Sequence, residues 1–311
     1  MRRPAALAAA LAVACAVAVG CSGSRTADGT VDGTLAPDRE SPVVDALPAA
    51  ILAPQGVTPQ FVVKCDFSHR GPNDPIVHYG MPGMSHSHDF FGNDATTASS
   101  TTAELQRAST SCKKQADRAS YWAPTLSDHG TPVEPDGVVA YYRPGAGVDP
   151  ASVRPYPAGL KVVSGDATAT EPQPTERAGW ACGSSRNLSP APPAECPDTA
   201  PLHLVVTFPD CWDGKATDSS DHRRHMAAST KGRCPASHPV PVPQLMLSIT
   251  YPVSGPGHEL SLASGSIYSG HADFFNGWRP EDLAREVRLC LNRGQTCGVA
   301  SNRENQPLFS G

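Results

Sequence analysis

Four short stretches of the chain bring histidine together with carboxylate and aromatic residues: residues 85–93, 220–226, 234–239 and 269–278. Histidine titrates closer to neutral pH than any other side chain and is also a common metal ligand. The first and last stretches repeat nearly the same order of residues, His, Asp, Phe-Phe, Asn and Gly. We therefore predict that segments distant in sequence build one polar, histidine-rich site.

The spacing within the first and last stretches suits a pair of extended strands. In a strand, residues i and i+2 face the same side, so His86 would lie beside His88 and His271 beside Asp273. Three imidazoles and one carboxylate can bind Zn²⁺ or another divalent transition metal. The same groups can act without metal as a general acid and base with an orienting partner. Both kinds of chemistry stay open at this point.

The second stretch adds further candidates. His222 and His225 lie three residues apart and would share one face of a helical turn, where Asp221 could orient either ring. The predicted catalytic set is His86, His88, His225, His271, Asp221 and Asp273, and the predicted metal ligands are His86, His88, His271 and Asp273. A plainer interpretation makes these histidines a hydrogen-bonded clasp that only holds loops together.

Aromatic residues accompany the histidines. The pairs Phe90-Phe91 and Phe274-Phe275 are expected to pack in the core beneath the site. Trp212 and Trp278 adjoin Gly or a polar turn, where an indole could stack on a sugar ring; a half-buried structural role is the alternative.

The beginning of the chain has the features of an export signal. Two arginines precede an apolar run that ends at Gly20, which predicts a signal peptide over residues 1–20. Small residues before Cys21 resemble the lipobox of bacterial lipoproteins, so Cys21 is the expected lipidation site and membrane anchor. Residues 21–57 read as a flexible tether and residues 58–311 as a single extracytoplasmic domain. Ordinary cleavage near Gly20, releasing a secreted protein, is the alternative.

The composition excludes several function classes. The net charge is −5 and no basic stripe is present, so nucleic acid is not an expected partner. The chain has no Gly-x-Ser-x-Gly elbow, no phosphate-binding loop and no dinucleotide fingerprint.

Pro and Gly recur every 8–12 residues, which predicts a β-rich fold. We expect a single sandwich-like domain with long loops and one or two short helices. Eight cysteines remain after Cys15 leaves with the signal peptide and Cys21 takes lipid, and an even number in an exported chain indicates disulfides. Pairing of nearest neighbours gives 65–112, 182–196, 211–234 and 290–297. A thiolate zinc site is disfavoured because the chain has no Cys-x-x-Cys pair.

Several spaced motifs resemble a known family. They are residues 74–77, 82–88 with Gly92, 157–160 with 165–166, 211–214, 221–222 with 225–226, 234–235 with 238–239, and 264–265 leading into 271–278. On these motifs the chain resembles the secreted, fungal and actinobacterial family called domain of unknown function nineteen ninety-six, over residues 61 to about 292. The chain departs from the family pattern at residues 78–81, so the loop that carries His86 would be placed differently.

The resemblance implies no established activity. Fungal relatives are often secreted and some carry wall- or sugar-binding modules, which implies a role on envelope glycans. The resulting expectation is a hydrolase or lyase acting on envelope or environmental polysaccharide, with a divalent metal such as Zn²⁺ as the cofactor if there is one. The alternative is a non-catalytic glycan- or metal-binding protein of the cell surface.

Overall fold

The computed structural model describes residues 51–52, 58–183 and 187–297. The predicted signal peptide, Cys21 and the predicted tether apart from Ile51 and Leu52 lie outside the described residues. Within the described ranges, no helix is both long enough and apolar enough to cross a membrane.

The largest sheet has seven strands. Their spatial order is β1 (Ile51–Leu52), β18 (Gln295–Cys297), β2 (Gln60–Cys65), β8 (Gly137–Arg143), β15 (Gln244–Tyr251), β11 (Leu202–Thr207) and β10 (Ala178–Cys182). All neighbours are antiparallel except β18 and β2. β15 and β11 are rich in β-branched and other apolar residues and are buried over most of their length, as expected for central strands.

The second large sheet has five strands and carries the first and last histidine stretches. Its order is β3 (Phe67–Gly71), β4 (His88–Gly92), β5 (Ser120–Pro124), β17 (His271–Phe275) and β9 (Lys161–Gly165), and every pair is antiparallel. Two small sheets complete the strand inventory of the described residues: β13 (Met226–Ala227), β12 (Cys211–Trp212) and β14 (Val240–Pro241), and β16 (Leu260–Leu262), β6 (Leu126–Asp128) and β7 (Thr131–Pro132).

One face of the five-stranded sheet contributes to the main core. Phe91, Tyr121 and Phe274 belong to the same buried cluster as Phe61 and Tyr142 of the seven-stranded sheet. The hydroxyl groups of Tyr121 and Tyr142 are hydrogen bonded to each other between the sheets. The arrangement is therefore sandwich-like, and the predicted β-rich fold class is confirmed.

The opposite, outer face of the five-stranded sheet has its own small core of six buried residues: Ile76, Phe90, Leu105, Trp122, Val163 and Phe275. Leu105 comes from helix α1 (Thr102–Arg107). Ile76 comes from residues 72–87, which we call the covering loop. The phenylalanine pairs are buried, as predicted, and each pair supplies one ring to each face because adjacent strand residues point in opposite directions.

The helices are short. α1 begins with a capping box between Thr101 and Glu104 and ends at Arg107. The sequence predicts a helix over residues 101–115, which is too long, because Ala108 is extended and Cys112 is bridged to Cys65. The sequence also predicts a helix from residues 279–282, with Pro and acidic residues in its first turn, to about Cys290; helix α2 (Pro280–Glu286) has this start and continues as a π-helical turn (Val287–Leu291). A 3₁₀ turn (Pro150–Ser152) precedes β9.

Four disulfides brace the domain: Cys65–Cys112, Cys182–Cys196, Cys211–Cys234 and Cys290–Cys297. These are the four nearest-neighbour pairings that the sequence predicts. Disulfides persist in oxidising compartments, so they indicate an extracellular environment.

Candidate metal centre

The register of the five-stranded sheet places the two echoed stretches close together on its outer face. β5 lies between β4 and β17, and Phe90, Trp122 and Asp273 are aligned across the three strands. His88 is paired with Pro124, two residues along each strand from the Phe90–Trp122 pair and therefore on the same face. Because side chains alternate between faces, His88 shares the outer face with Phe90, and His271 shares it with Asp273.

Three imidazoles meet at this position. His86, at the end of the covering loop, lies with its ring centroid 4.3 Å from that of His88 and 5.1 Å from that of His271. The rings of His88 and His271 are 5.8 Å apart. The Nε2 atoms of His86 and His271 are separated by 3.3 Å. The structure therefore brings His86 and His88 together with His271, which is 185 residues away from His86 in the sequence.

Backbone carbonyls define the tautomers of the two buried rings. Nδ1 of His88 lies 3.0 Å from the carbonyl oxygen of Asn73, and Nδ1 of His271 lies 2.8 Å from that of Ser269. A carbonyl oxygen only accepts, so each Nδ1 carries the proton and donates it. Each neutral ring then keeps a lone pair on Nε2, the arrangement found in histidines that bind metals.

Two carboxylates adjoin His88. One ligand atom each of Asp74, His88 and Asp273 lies within 4.8 Å of the other two. Oδ1 of Asp74 accepts the backbone N–H groups of Ile76 and Val77 at 2.8 and 2.9 Å, which ties the carboxylate to the covering loop. Sequence reasoning did not select Asp74, although residues 74–77 were among the motifs that carried the family resemblance.

The centre contains buried polar atoms without partners. Nε2 of His88 and Oδ1 of Asp273 have no hydrogen-bond partner among the described residues. His88 and Asp273 are 0% and 1% exposed, whereas His86 is half-buried. An unpaired buried polar atom costs about 1–3 kcal/mol, more when the group is charged. Without a bound ligand, these two atoms therefore make the folded centre less stable.

Burial also sets the protonation states. It lowers the pKa of His86, and burial together with the neighbouring imidazoles lowers the pKa of His88 well below its usual value. Burial is the main reason that the pKa of His271 falls to about 4. Burial, with a smaller contribution from the Asp74 carboxylate, raises the pKa of Asp273 well above its usual value. At neutral pH without metal the three rings are therefore neutral, and the raised pKa of Asp273 favours the protonated form of its carboxyl group.

The second histidine stretch does not reach this centre, which corrects the prediction that all four stretches meet. His225 is buried elsewhere, with Nδ1 2.9 Å from Oγ of Ser219 and Nε2 2.6 Å from the carbonyl oxygen of Lys161. Lys161 is paired with Phe275, at the opposite end of β9 from the residue that pairs with His271. Both ring nitrogens of His225 are thus engaged by the fold.

Asp221 is also placed outside the centre. Its Oδ1 accepts the hydroxyl of Ser219 and the backbone N–H groups of Arg223 and Arg224 in an exposed turn. These hydrogen bonds lower the pKa of Asp221, and its role is to hold the turn that precedes His225. From the third stretch, Nε2 of His238 contacts the carbonyl oxygen of Arg224 at the surface.

The two tryptophans differ from each other. Trp278 is 0% exposed, and its indole N–H donates to the hydroxyl of Tyr142 at 3.1 Å, so it belongs to the core and offers no face to a sugar ring. This corrects the predicted stacking role. Trp212 is half-buried against the core and donates to the carbonyl oxygen of Ala216 at 2.6 Å. A stacking role for Trp212 stays a prediction.

With the site described, the family assignment follows from one comparison. Residues 74–278 match the protein-family model described as Domain of unknown function (DUF1996). The chain belongs to this family. No curated protein matches the chain, and no solved structure matches it.

The matched range contains the whole centre. It begins at Asp74 and ends at Trp278, so it contains all five residues of the two candidate ligand groups: Asp74, His86, His88, His271 and Asp273. It is narrower than the expected 61 to about 292, since β2, β3 and the whole of α2 lie outside it. The matched range therefore contains every strand of the five-stranded sheet except β3, four strands of the seven-stranded sheet, both small sheets and the covering loop from Asp74 onward.

Proposed function

We propose that this DUF1996 domain binds a divalent transition metal through Nε2 of His86, His88 and His271 and a carboxylate oxygen of Asp273, with Asp74 beside them. The distance of 3.3 Å between Nε2 of His86 and Nε2 of His271 carries the proposal. Two nitrogens bound tetrahedrally to one zinc ion at 2.0–2.1 Å lie about 3.3–3.4 Å apart. The donor set of imidazole and carboxylate suits Zn²⁺ and its neighbours in the first transition row.

The hydrogen bonds around the rings support the same conclusion. The carbonyls of Asn73 and Ser269 hold the rings of His88 and His271 in the tautomer that leaves Nε2 free. A cation at the centre would pair with Nε2 of His88 and Oδ1 of Asp273, which are two of the nine buried side-chain atoms that lack partners among the described residues. Its charge would also favour the ionised form of Asp273.

We place this centre outside the cytoplasm. The four disulfides support that location, since such bonds persist in oxidising compartments. Attachment to the membrane through a lipid on Cys21 remains a prediction from the leader sequence, as does release as a secreted protein.

A second candidate function is the cleavage of envelope or environmental polysaccharide at the same centre, by a hydrolase or a lyase reaction. The observation that favours it is that His86 is half-buried while His88 and His271 are buried, so the centre is accessible from the side of His86. Catalytic metal sites keep a position open for water or substrate. A glycan-binding surface without catalysis would use the same access.

The test is metal binding by the purified full-length chain, exported into an oxidising compartment and prepared without a histidine tag. Elemental analysis and Zn²⁺ titration should give one ion per chain, and Co²⁺ should produce the visible absorption of a low-symmetry nitrogen–oxygen site. The His88→Ala and His271→Ala variants should each lose about 100-fold or more in affinity, equivalent to about 2.7 kcal/mol.

His203→Ala is the matched control, since His203 is a half-buried ring on β11 whose Nδ1 is bonded to Oγ of Ser248. Circular dichroism would confirm that each variant is folded. A folded wild-type chain that takes up neither Zn²⁺ nor Co²⁺ would refute the metal centre. A panel of polysaccharides then tests the second candidate, which fails if wild type releases no product.

A further inference from the structure

The covering loop carries a cluster of exposed large apolar side chains. All four large apolar side chains that are exposed among the described residues belong to it: Val77, Tyr79, Met81 and Met84, at 43, 52, 46 and 63%. A cluster of exposed apolar side chains on a soluble domain marks an interaction site more often than chance. Two of the four are methionines, whose thioether sulfur can also bind metals.

The loop spaces its metal-binding side chains evenly. His78, Met81 and Met84 follow one another at intervals of three residues. The N–H of Met81 donates to the carbonyl of His78 at 3.0 Å, and the N–H of Met84 donates to the carbonyl of Met81 at 3.2 Å. Each interval is therefore one closed turn. Met84 comes two residues before His86, so the series runs directly into the histidine centre.

The turns depend on two glycines. Gly80 and Gly83 have φ values of +73° and +82°, which side-chain-bearing residues rarely adopt, and a Cβ at either position would meet nothing within 4 Å. Their backbones, rather than packing, thus require glycine. The space around this part of the loop is open, and the side chains of Met81 and Met84 extend from it into solvent.

The rest of the loop is attached to the sheet. Ile76 is buried in the outer-face core, and Nζ of Lys161 donates to the carbonyl of Pro75 at 3.0 Å. The same ammonium lies 5.1 Å from the ring centroid of Tyr79, which explains the position of that exposed ring. The N–H of Gly80 donates to the carbonyl of Ala98 at 2.8 Å. The methionines are thus presented from a held loop, and nothing in the structure explains the exposure of Val77.

Thioether sulfur discriminates among metals. It is a soft ligand that favours Cu(I), whereas Mg²⁺, Ca²⁺ and Mn²⁺ prefer oxygen. Methionine is also a flexible apolar side chain that normally fills gaps in cores, but Met81 and Met84 fill none. Two exposed thioethers with a histidine in the same series, leading to three clustered imidazoles, form a set of donors suited to copper.

We propose that the covering loop binds Cu(I) through the sulfur atoms of Met81 and Met84 with the imidazole of His78. This inference stands on the loop alone and does not depend on the proposed function. No change of oxidation state is part of the proposal: the loop accepts copper that is already reduced.

The test is anaerobic competition for Cu(I) between the full-length chain and a chromophoric chelator such as bicinchoninate, with ascorbate as the reductant. The variant is Met81→Leu/Met84→Leu, which keeps the apolar volume and removes both sulfurs. Its Cu(I) affinity should fall at least about tenfold, the loss that removal of even an outer-shell partner of a metal causes. Met246→Leu, at a methionine of β15 that is 7% exposed, is the matched control and should bind like wild type.

Unchanged Cu(I) affinity in the double variant would overturn the inference and leave the loop as an apolar docking surface. Zn²⁺ and Co²⁺ titrations of the same preparations separate the two proposals. If both ions bind at the histidines and the double variant keeps the wild-type affinity for Cu(I), only the copper inference fails. If neither ion binds at the histidines, the proposed function fails whatever the methionines do.

Discussion

Buried histidines contact the five-stranded sheet at two places, and their hydrogen bonds differ: His225 contacts β9 from a turn, whereas His88 and His271 belong to β4 and β17. His225 has both ring nitrogens engaged, by the Ser219 hydroxyl and the Lys161 carbonyl. His88 and His271 each engage Nδ1 with a backbone carbonyl; Nε2 of His88 has no hydrogen-bond partner among the described residues, and Nε2 of His271 meets Nε2 of His86 at 3.3 Å. The first pattern accounts for a ring that holds the structure together, whereas the second leaves donor atoms available to a ligand. Burial alone does not distinguish them.

The buried carboxyl groups show the same contrast. Oδ1 of Asp117 accepts the N–H of Ala119 at 3.0 Å, and Oδ2 accepts the hydroxyl of Tyr121 at 2.6 Å. Oδ1 of Asp273 has no hydrogen-bond partner within the described part of the chain. Burial raises the pKa of both groups. A raised pKa therefore does not identify a ligand, and the unpaired atom is the more useful sign.

The largest expected effect concerns Asp117, whose pKa is raised by burial to about 7. A carboxyl group with a raised pKa in the folded state contributes stability that is fully present below its unfolded pKa, near 4, and is lost as pH rises through 7. Between pH 4 and pH 8 the free energy of unfolding of wild type should fall by about 4 kcal/mol relative to Asp117→Asn. Urea denaturation at several pH values measures this difference.

Asn keeps an oxygen to accept the Ala119 N–H, so the variant should fold. Equal pH dependence in the two chains would contradict the prediction. Zn²⁺ binding should be the same in both, because Asp117 is not part of the histidine centre. A loss of metal affinity in Asp117→Asn would break the distinction between a paired and an unpaired buried carboxyl group.

The next effect is on stability without metal. His225→Ala should lower the free energy of unfolding by about 3 kcal/mol, because it creates a cavity and leaves the Lys161 carbonyl without its donor. His271→Ala should cost about half as much, because one hydrogen bond is lost and a ring that crowds two others is removed. Urea denaturation of chelator-treated proteins compares them. A larger loss for His271→Ala would favour the structural clasp over the metal centre.

The smallest effect is expected for Asp221, which the sequence placed in the catalytic set. Asp221→Asn removes charge from an exposed turn and should leave Zn²⁺ affinity and stoichiometry unchanged, with little change in melting temperature. Isothermal titration and thermal denaturation measure both quantities. Weaker metal binding in this variant would show that the second histidine stretch contributes to the centre after all.

Short-range patterns account for what could be predicted. Alternation along a strand correctly placed His271 on the face of Asp273, because side chains in extended backbone repeat every two residues. His86 also lies beside His88, although it belongs to the covering loop and not to β4. Nearest-neighbour pairing of the cysteines was also correct. The strand alternation depends on residues close in sequence, whereas the disulfides join cysteines that are consecutive along the domain but 7 to 47 residues apart.

Long-range packing accounts for what was missed. His225 has the same local surroundings of polar residues as the other histidines, and only the approach of Lys161 shows that its ring is occupied. Trp278 adjoins Gly277, which suggested exposure, but the sandwich places it at Tyr142 in the core. Asp74 comes directly after the turn that the sequence predicts at residues 71–73, and only the packing of the covering loop on the sheet brings it to His88 and Asp273.

The sequence by itself determined the β-rich class, the disulfide pairs, the family and the two echoed histidine motifs, because each is carried by composition or by spacing along the chain. The tertiary structure decided which histidines share a centre, and it did so through strand order. β5 separates β4 from β17, and this places His88 and His271 on the same face, close enough for their side chains to meet. Strand order depends on contacts between residues far apart in sequence, which no local pattern specifies.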